Sequence, residues 1–246
     1  MKTHLEILFE DDDIVLINKP AGLLSVPISG SMVPSALSVL RSILQRRGRR
    51  SCRPLVVHRI DRYTAGILVF AKHQDARHNL IQQFLAHTPI RRYKAVIVGS
   101  IAPPAGTLKH TLMQTKEGFR QVVVPKGQKS RGPKSEAPAE AILHYKTETS
   151  YGQHSLVEIT LVTGLKNQIR AQFAAVGHPV VGDKQYGSDQ HRKGKELDHQ
   201  ALFASNLEFL HPMTGQKLTF SIDPPKDFKR LIASISRRGS GHSSRS

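Results

Sequence analysis

Apolar positions along this chain come in short runs and alternations, and the spacing shifts to a helical period in only a few places. Ile7–Glu10 and Ile14–Asn18 are rich in β-branched residues and split by Asp11-Asp12-Asp13, which predicts two strands leading into a turn at Lys19-Pro20-Ala21-Gly22. Ser35–Gln45 sets Leu37, Leu40, Ile43 and Leu44 at helical spacing, so a short helix carries Arg41 into an Arg-rich, solvent-facing loop at 46–53. Leu55–Val57 and Ile67–Ala71 predict two further strands with Asp61 in the connection. A helix over Gln74–His87 and a strand over Tyr93–Gly99 follow.

Residues 100–140 alternate turn formers with short strands, and Pro125–Pro138 has no apolar face and reads as a mobile loop. Ala141–Tyr145 and Ser155–Val162 are strand-like. Gln168–Val176 places Ile169, Phe173 and Val176 on one helical face before Gly177-His178-Pro179 stops it. More strands are expected over 201–222, then a basic Ser/Gly/Arg tail from Arg237 to Ser246 that reads as disordered. No internal repeat is visible. The length allows one large domain or two small ones, and the reading adopted is one domain over 1–236 followed by the tail.

Charge narrows the possible partners further than length does. Lys plus Arg number 36 against 19 Asp plus Glu, a net +17. Such a balance attracts phosphate polyanions or anionic lipid. Arg41, Arg46, Arg47, Arg49, Arg50 and Arg53 fall in one acid-free tract, and Arg91, Arg92 and Lys94 flank Tyr93 in another. No run approaches the roughly 18 apolar residues of a spanning helix, so nucleic acid is the expected partner rather than a membrane. The N-terminus lacks an export signal, and Cys52 is the only cysteine. A cytoplasmic, metal-free and cofactor-free protein is therefore expected, a monomer given its charge.

Within this basic field no Asp or Glu occurs between Asp13 and Asp61. A lone acid in that setting is either half of an ordinary ion pair with Arg59 or Arg62, or a carboxylate held ionised and presented to a polyanionic substrate.

Five ordered segments then carry a resemblance. They are Asn18-Lys19-Pro20-Ala21-Gly22-Leu23; the stretch from His58 through Asp61 to Lys72; Arg92-Tyr93-Lys94-Ala95-Val96-Ile97-Val98-Gly99; Thr163-Gly164 with Gln168-Ile169-Arg170 and the run Gly177 to Gly187; and Phe209-Leu210-His211-Pro212-Met213-Thr214-Gly215. Together they resemble the RluA-type pseudouridine synthases from about residue 7 to 228. The resemblance implies an α+β fold on a mixed, mainly antiparallel sheet with flanking helices and a central active-site cleft. It also implies the reaction: the uracil of an RNA uridine leaves the ribose at N1, turns over, and rejoins through C5.

That chemistry needs a carboxylate near C1′ and C2′, a platform for the loosened base and a proton acceptor for C5. By resemblance Asp61 is the essential acid, acting as nucleophile at C1′ or as the base that opens the glycosidic bond through C2′. Tyr93 would stack on the target base. Arg170 would pair with Asp61, which favours the carboxylate form. Arg59 would fill the space left by the flipped uridine. His58, Arg62, Lys19, Lys166, Gln168 and the loop residues Arg46, Arg47, Arg49 and Arg50 complete the expected RNA-contacting set. Taken singly, Tyr93 fits a packed aromatic, Arg170 a solvated charge and Arg59 a phosphate contact, while Gln168 either orients the active-site loop or caps a helix.

The third motif departs from the family, which usually shows Gly-Arg-Thr-or-Lys-His-Gln where this chain has Gly164-Leu165-Lys166-Asn167-Gln168. Altered loop support rather than lost catalysis is expected there. Ala65 also stands where Ser is common. The expected substrate is an rRNA or tRNA stem-loop. A non-catalytic RNA-binding or ribosome-assembly protein on the same scaffold is the alternative.

Overall fold

The computed structural model describes residues 5–48, 53–115, 120–124, 137–187 and 197–240. Arg49, Arg50, Cys52, residues 125–136 of the expected loop and the last six residues lie outside the described residues. The chain forms two compact units, residues 1–91 with 203–223, and residues 92–202 with 224–246. Both combine a β-sheet with helices, the α+β architecture expected, and the pairings within them are mainly antiparallel.

In the first unit, β1 (Glu6–Glu10), β2 (Ile14–Lys19), β4 (Ala65–Ala71) and β10 (Leu202–Leu210) lie side by side, with β3 (Leu55–Val56) on β4 and β11 (Lys217–Ser221) on β10. All these neighbours are antiparallel except β4 and β10, which run parallel. The apolar runs of β2 and β4 are unbroken because both sheet faces are covered. Val15, Ile17, Leu68 and Phe70 pack under α1 (Ala36–Arg46) through Leu37, Leu40 and Leu44. Their neighbours Ile14, Leu16, Ile67 and Val69 face the other way, towards Ala76 and Leu80 of α2 (Gln74–Leu85). This division is the pleat itself, since successive side chains leave a strand on opposite faces.

Both helix starts are written locally. Ser35 and Ser38 form a reciprocal capping box at α1, and the His73 ring accepts from the Ala76 N–H at α2. Gly66 sits at φ +121° where β4 passes β10, and a Cβ there would lie 2.3 Å from the Ala204 carbonyl oxygen. Only glycine permits that approach.

In the second unit β5 (Ile90–Val98), β9 (His154–Leu161), β8 (Ala139–Ser150), β6 (Ala105–Gln114) and β7 (Gln121–Val123) follow in sheet order. The β6–β8 and β8–β9 ladders are antiparallel. Helix α3 (Gln168–Ala175) sets Ala171 against Leu112 and Ala141 of that sheet. Helix α4 (Lys226–Ser240) was not expected, although Phe228, Leu231 and Ile235 form a buried stripe at helical spacing. It runs through Arg237 and Arg238 to Ser240, so the first four residues of the expected disordered tail are helical. Cations in a last helical turn favour that continuation. Among the described residues no helix is long and apolar enough to cross a membrane.

Candidate active site

Asp61 lies in the loop between β3 and β4, and the chain is pinned on both sides of it. Before it, the Ser25 hydroxyl donates to the Ile60 carbonyl (2.6 Å) and accepts from the Ile60 N–H (3.2 Å). After it, the Arg62 carbonyl accepts from Gly22 N–H (2.9 Å) and from Lys19 Nζ (3.0 Å). Arg62 Nε returns a bond to the Gly22 carbonyl (2.9 Å). The Lys19–Ser25 turn is therefore a clamp, and only Asp61, half-buried, lies between its two grips. Thr64 N–H donates to the Asp61 carbonyl and closes the loop into β4.

Lys19 was expected among the RNA contacts, and the structure corrects this. Its side chain is fully buried, with Nζ donating to the carbonyls of Pro20, Leu23 and Arg62. Burial lowers its pKa to about 7; the Asp61 charge opposes the shift and the Arg62 charge adds to it. His58 is corrected likewise. Its ring stacks on Phe84 at 4.4 Å and its Nε2 accepts from the Val69 N–H. Burial, with Arg91 nearby, lowers its pKa to about 3, so it is a neutral packing group. Arg59 and Arg62 are exposed, as RNA contacts require. Arg46 and Arg47 are also exposed at the end of α1, where Arg46 lines a hollow with Ser42, Gln45 and Gly48.

In the second unit Tyr93 is a buried residue of β5 and Arg170 a buried residue in the first turn of α3. Arg170 is not a solvated charge. Its Nε and Nη2 donate to the two oxygens of Asp183 at 2.6 and 2.8 Å, Nη2 also reaches Gln185 Oε1, and Nη1 donates to Asn167 Oδ1 at 2.8 Å. The guanidinium lies over the Tyr186 ring at 5.0 Å. Asp183, almost fully buried, accepts also from the N–H groups of Gln185 and Tyr186. Buried charge is sustained by such a fork with its remaining lone pairs used.

Gln168 neither caps a helix nor faces RNA. Its Oε1 accepts from Thr163 Oγ1 and Leu165 N–H, and its Nε2 donates to the Ile142 carbonyl, so it braces the third-motif loop on β8. Lys166 is half-buried beside it. Sequence reasoning gave no role to Ser25, Asp183 or Tyr186, although the last two fall inside the Gly177–Gly187 segment that the resemblance quoted.

Asp11, Asp13 and His211 gather three potential ligand atoms at one spot of the first unit. His211 Nε2 lies 3.0 Å from Asp11 and 3.5 Å from Asp13, while its Nδ1 accepts from the Thr214 N–H. With Nδ1 an acceptor, Nε2 carries the ring proton, so the trio is a hydrogen-bonded clasp between the β1–β2 turn and the end of β10.

Comparison with known proteins gives this arrangement a context. A family model described as RNA pseudouridylate synthase matches residues 13–175. An uncharacterized RNA pseudouridine synthase of Bacillus subtilis, YlyB, is 31% identical over 96% of this chain and 74% of its own. The ribosomal large subunit pseudouridine synthase D of Zymomonas mobilis is also 31% identical, over 93% of this chain and 72% of its own. Among solved structures, human RNA pseudouridylate synthase domain containing 4 matches with a TM-score of 0.74 at 22% identity, covering 94% of this chain and 93% of that one.

Proposed function

The chain belongs to the RNA pseudouridylate synthase family, and from that membership we propose that it isomerises a uridine of ribosomal RNA to pseudouridine with Asp61 as the catalytic carboxylate. Pseudouridine formation in RNA follows from the family. The choice of ribosomal RNA leans on the relatives named for the large subunit. The net charge of +17 suits a polyanion.

The observation that carries the assignment of the acid is the double grip on its loop. Ile60 and Arg62 are held by the Lys19–Ser25 turn, so the one residue left to project is Asp61. A binding loop has no need of that rigidity, whereas a reacting carboxylate loses rate when displaced by about 1 Å. In the proposed reaction Asp61 engages the ribose as the N1–C1′ bond breaks. The freed uracil turns, C5 bonds to C1′, and C5 gives up its proton while N1 regains one. Tyr93 is the platform for the base and Arg170 the catalytic cation of the third motif. Exposed Arg59 takes the space of the flipped nucleotide, and Arg62, Lys166, Arg46, Arg47, Arg49 and Arg50 serve the phosphates.

The test is a pseudouridine map of rRNA and tRNA from cells deleted for the gene and restored with wild type or Asp61→Asn. Recovery of a missing rRNA site by wild type alone is expected, with RNA affinity of the variant nearly unchanged. Recovery by Asp61→Asn would overturn the acid, and a lost tRNA site would overturn the substrate.

A further inference from the structure

Asn167 occupies the residue before α3 with φ 54° and ψ 19°, the left-handed region that few residues other than glycine enter, asparagine being one. An asparagine in that place ordinarily caps the helix with its side chain. Here it makes no cap bond. The backbone turn swings the buried amide away from the helix N–H groups, and Oδ1 accepts from Arg170 Nη1 one turn later. A side-chain hydrogen bond also joins Asn167 to the Tyr186 hydroxyl, which accepts from the Gln121 N–H at 2.7 Å. The Tyr186 ring in turn carries Arg170 at 5.0 Å and Arg120 at 4.9 Å.

We infer that Asn167 is a positioning residue for Arg170, fixing the tilt of a guanidinium that Asp183 alone would leave hinged. The Asp183 fork grips the Nε–Nη2 edge, and a plane held along one edge can still swing about that edge. Asn167 grips the Nη1 corner opposite and is itself anchored to Tyr186. The amide's two ends are assigned by their partners: an arginine N–H requires the oxygen, which leaves the NH2 for the phenol. Neither capping nor the left-handed backbone explains asparagine here, since its side chain does not cap and glycine would adopt the turn with less strain. The work that only the amide does is the bridge from Arg170 to Tyr186.

The inference rests on the reading of Arg170 as a catalytic cation, and the experiment separates the two. Full-length Asn167→Gly, Asn167→His and Arg170→Ala are assayed on total RNA from cells deleted for the gene. Single-turnover rate at saturating enzyme, RNA affinity, melting temperature and a rate profile from pH 5 to 8 are measured. Glycine keeps the backbone turn and removes only the amide, so the rate should fall on the order of tenfold while affinity and melting temperature hold, as small misplacements of catalytic groups cost rate. Histidine can accept and donate at once only while neutral, and burial beside the Arg170 guanidinium holds such a ring below its ordinary value, so Asn167→His should lose rate only towards the acid end of the profile, a break absent from wild type. The titratable and polar groups that face the pair in this unit include Asp183, Gln185, Tyr186 and, through Tyr186, Arg120.

Wild-type rate in Asn167→Gly with an inactive Arg170→Ala would overturn the positioning role and leave Arg170 in place. A rate loss that tracks a fall in melting temperature, with no pH break in Asn167→His, would reduce Asn167 to a structural residue. Full activity in Arg170→Ala would remove the catalytic reading and the inference together.

Discussion

Lys19 Nζ donates to the Arg62 carbonyl at 3.0 Å, so a buried lysine forty-three residues away in sequence holds the backbone of the residue next to the candidate catalytic acid. Lys19→Met keeps the length of the stem and removes the donor. It should lower the single-turnover rate by at least tenfold while RNA affinity holds, because buried Lys19 does not touch solvent and the loop it anchors carries Asp61. The variant also reports on pH. With a folded pKa of about 7 against 10.5, the folded chain has released the Lys19 proton between those values while the unfolded chain still holds it, so stability rises with pH across that window. From pH 7 to 9 this group contributes up to about 2.7 kcal/mol, and the rise should be missing in Lys19→Met. Urea denaturation of both proteins at pH 7, 8 and 9 measures the difference, and parallel curves would sink the assignment.

His58 acts at the acid end. The folded chain keeps it neutral down to about pH 3, whereas the unfolded chain takes up the proton near 6.5. Stability present above 6.5 is therefore lost as pH falls from 6.5 towards 3. By pH 5 the loss from this group is about 2 kcal/mol. His58→Gln should start less stable at pH 7, having lost the ring stacked on Phe84, yet decline less between pH 7 and 5. A decline as steep as that of wild type would show that other groups carry the acid sensitivity.

These two residues also mark where the sequence stops being legible. The strands β2 and β4 are visible as apolar runs, and α1 as a 3.6-residue period, because local pattern dictates both. What the pattern cannot say is that Val15 joins the cluster of Leu37 while Ile14 joins that of Leu80, or that a lysine beside a proline is buried, since one of its acceptors is a carbonyl brought in by a distant loop. The motif residues Asp61, Tyr93 and Arg170 were picked out by resemblance. The partners that hold Arg170 were not, because nothing in the spacing of Asn167, Asp183 and Tyr186 states that their side chains converge. Helix α4 is legible in the spacing of Phe228, Leu231 and Ile235, although the basic Ser/Gly/Arg run that follows them reads as a tail.

Gly66 tests the crossing of β4 and β10. Its φ of +121° and the 2.3 Å separation a Cβ would have from the Ala204 carbonyl combine backbone strain with a clash against main chain, which cannot move aside as a side-chain tip can. Gly66→Ala should destabilise the protein by about 3 kcal/mol or more, the sum of strain and overpacking. Chemical denaturation at pH 7.5 measures it, and a change under 1 kcal/mol would mean the strands part at little cost.

Arg46 and Arg47 sit side by side at the end of α1 but should contribute unequally to RNA binding. Arg46 lines an open hollow with Ser42, Gln45 and Gly48, and a phosphate seated there releases a counterion from the RNA. Arg47 Nη1 lies 3.4 Å from Glu10, so engaging a phosphate means competing with that carboxylate. Arg46→Ala should reduce the slope of log affinity against log salt by about 0.7–0.9, the value of one full phosphate contact. Arg47→Ala should reduce it by less, and Glu10→Gln should raise the contribution of Arg47 towards that of Arg46. Filter binding on deletion-strain RNA between 50 and 200 mM salt, a span over which such slopes separate well, distinguishes the cases. Equal slopes for all three variants and wild type would place the RNA elsewhere on the molecule. Retention of pseudouridine formation by Arg46→Ala at low salt is also expected, because the side chain steers the polyanion and takes no part in the isomerisation.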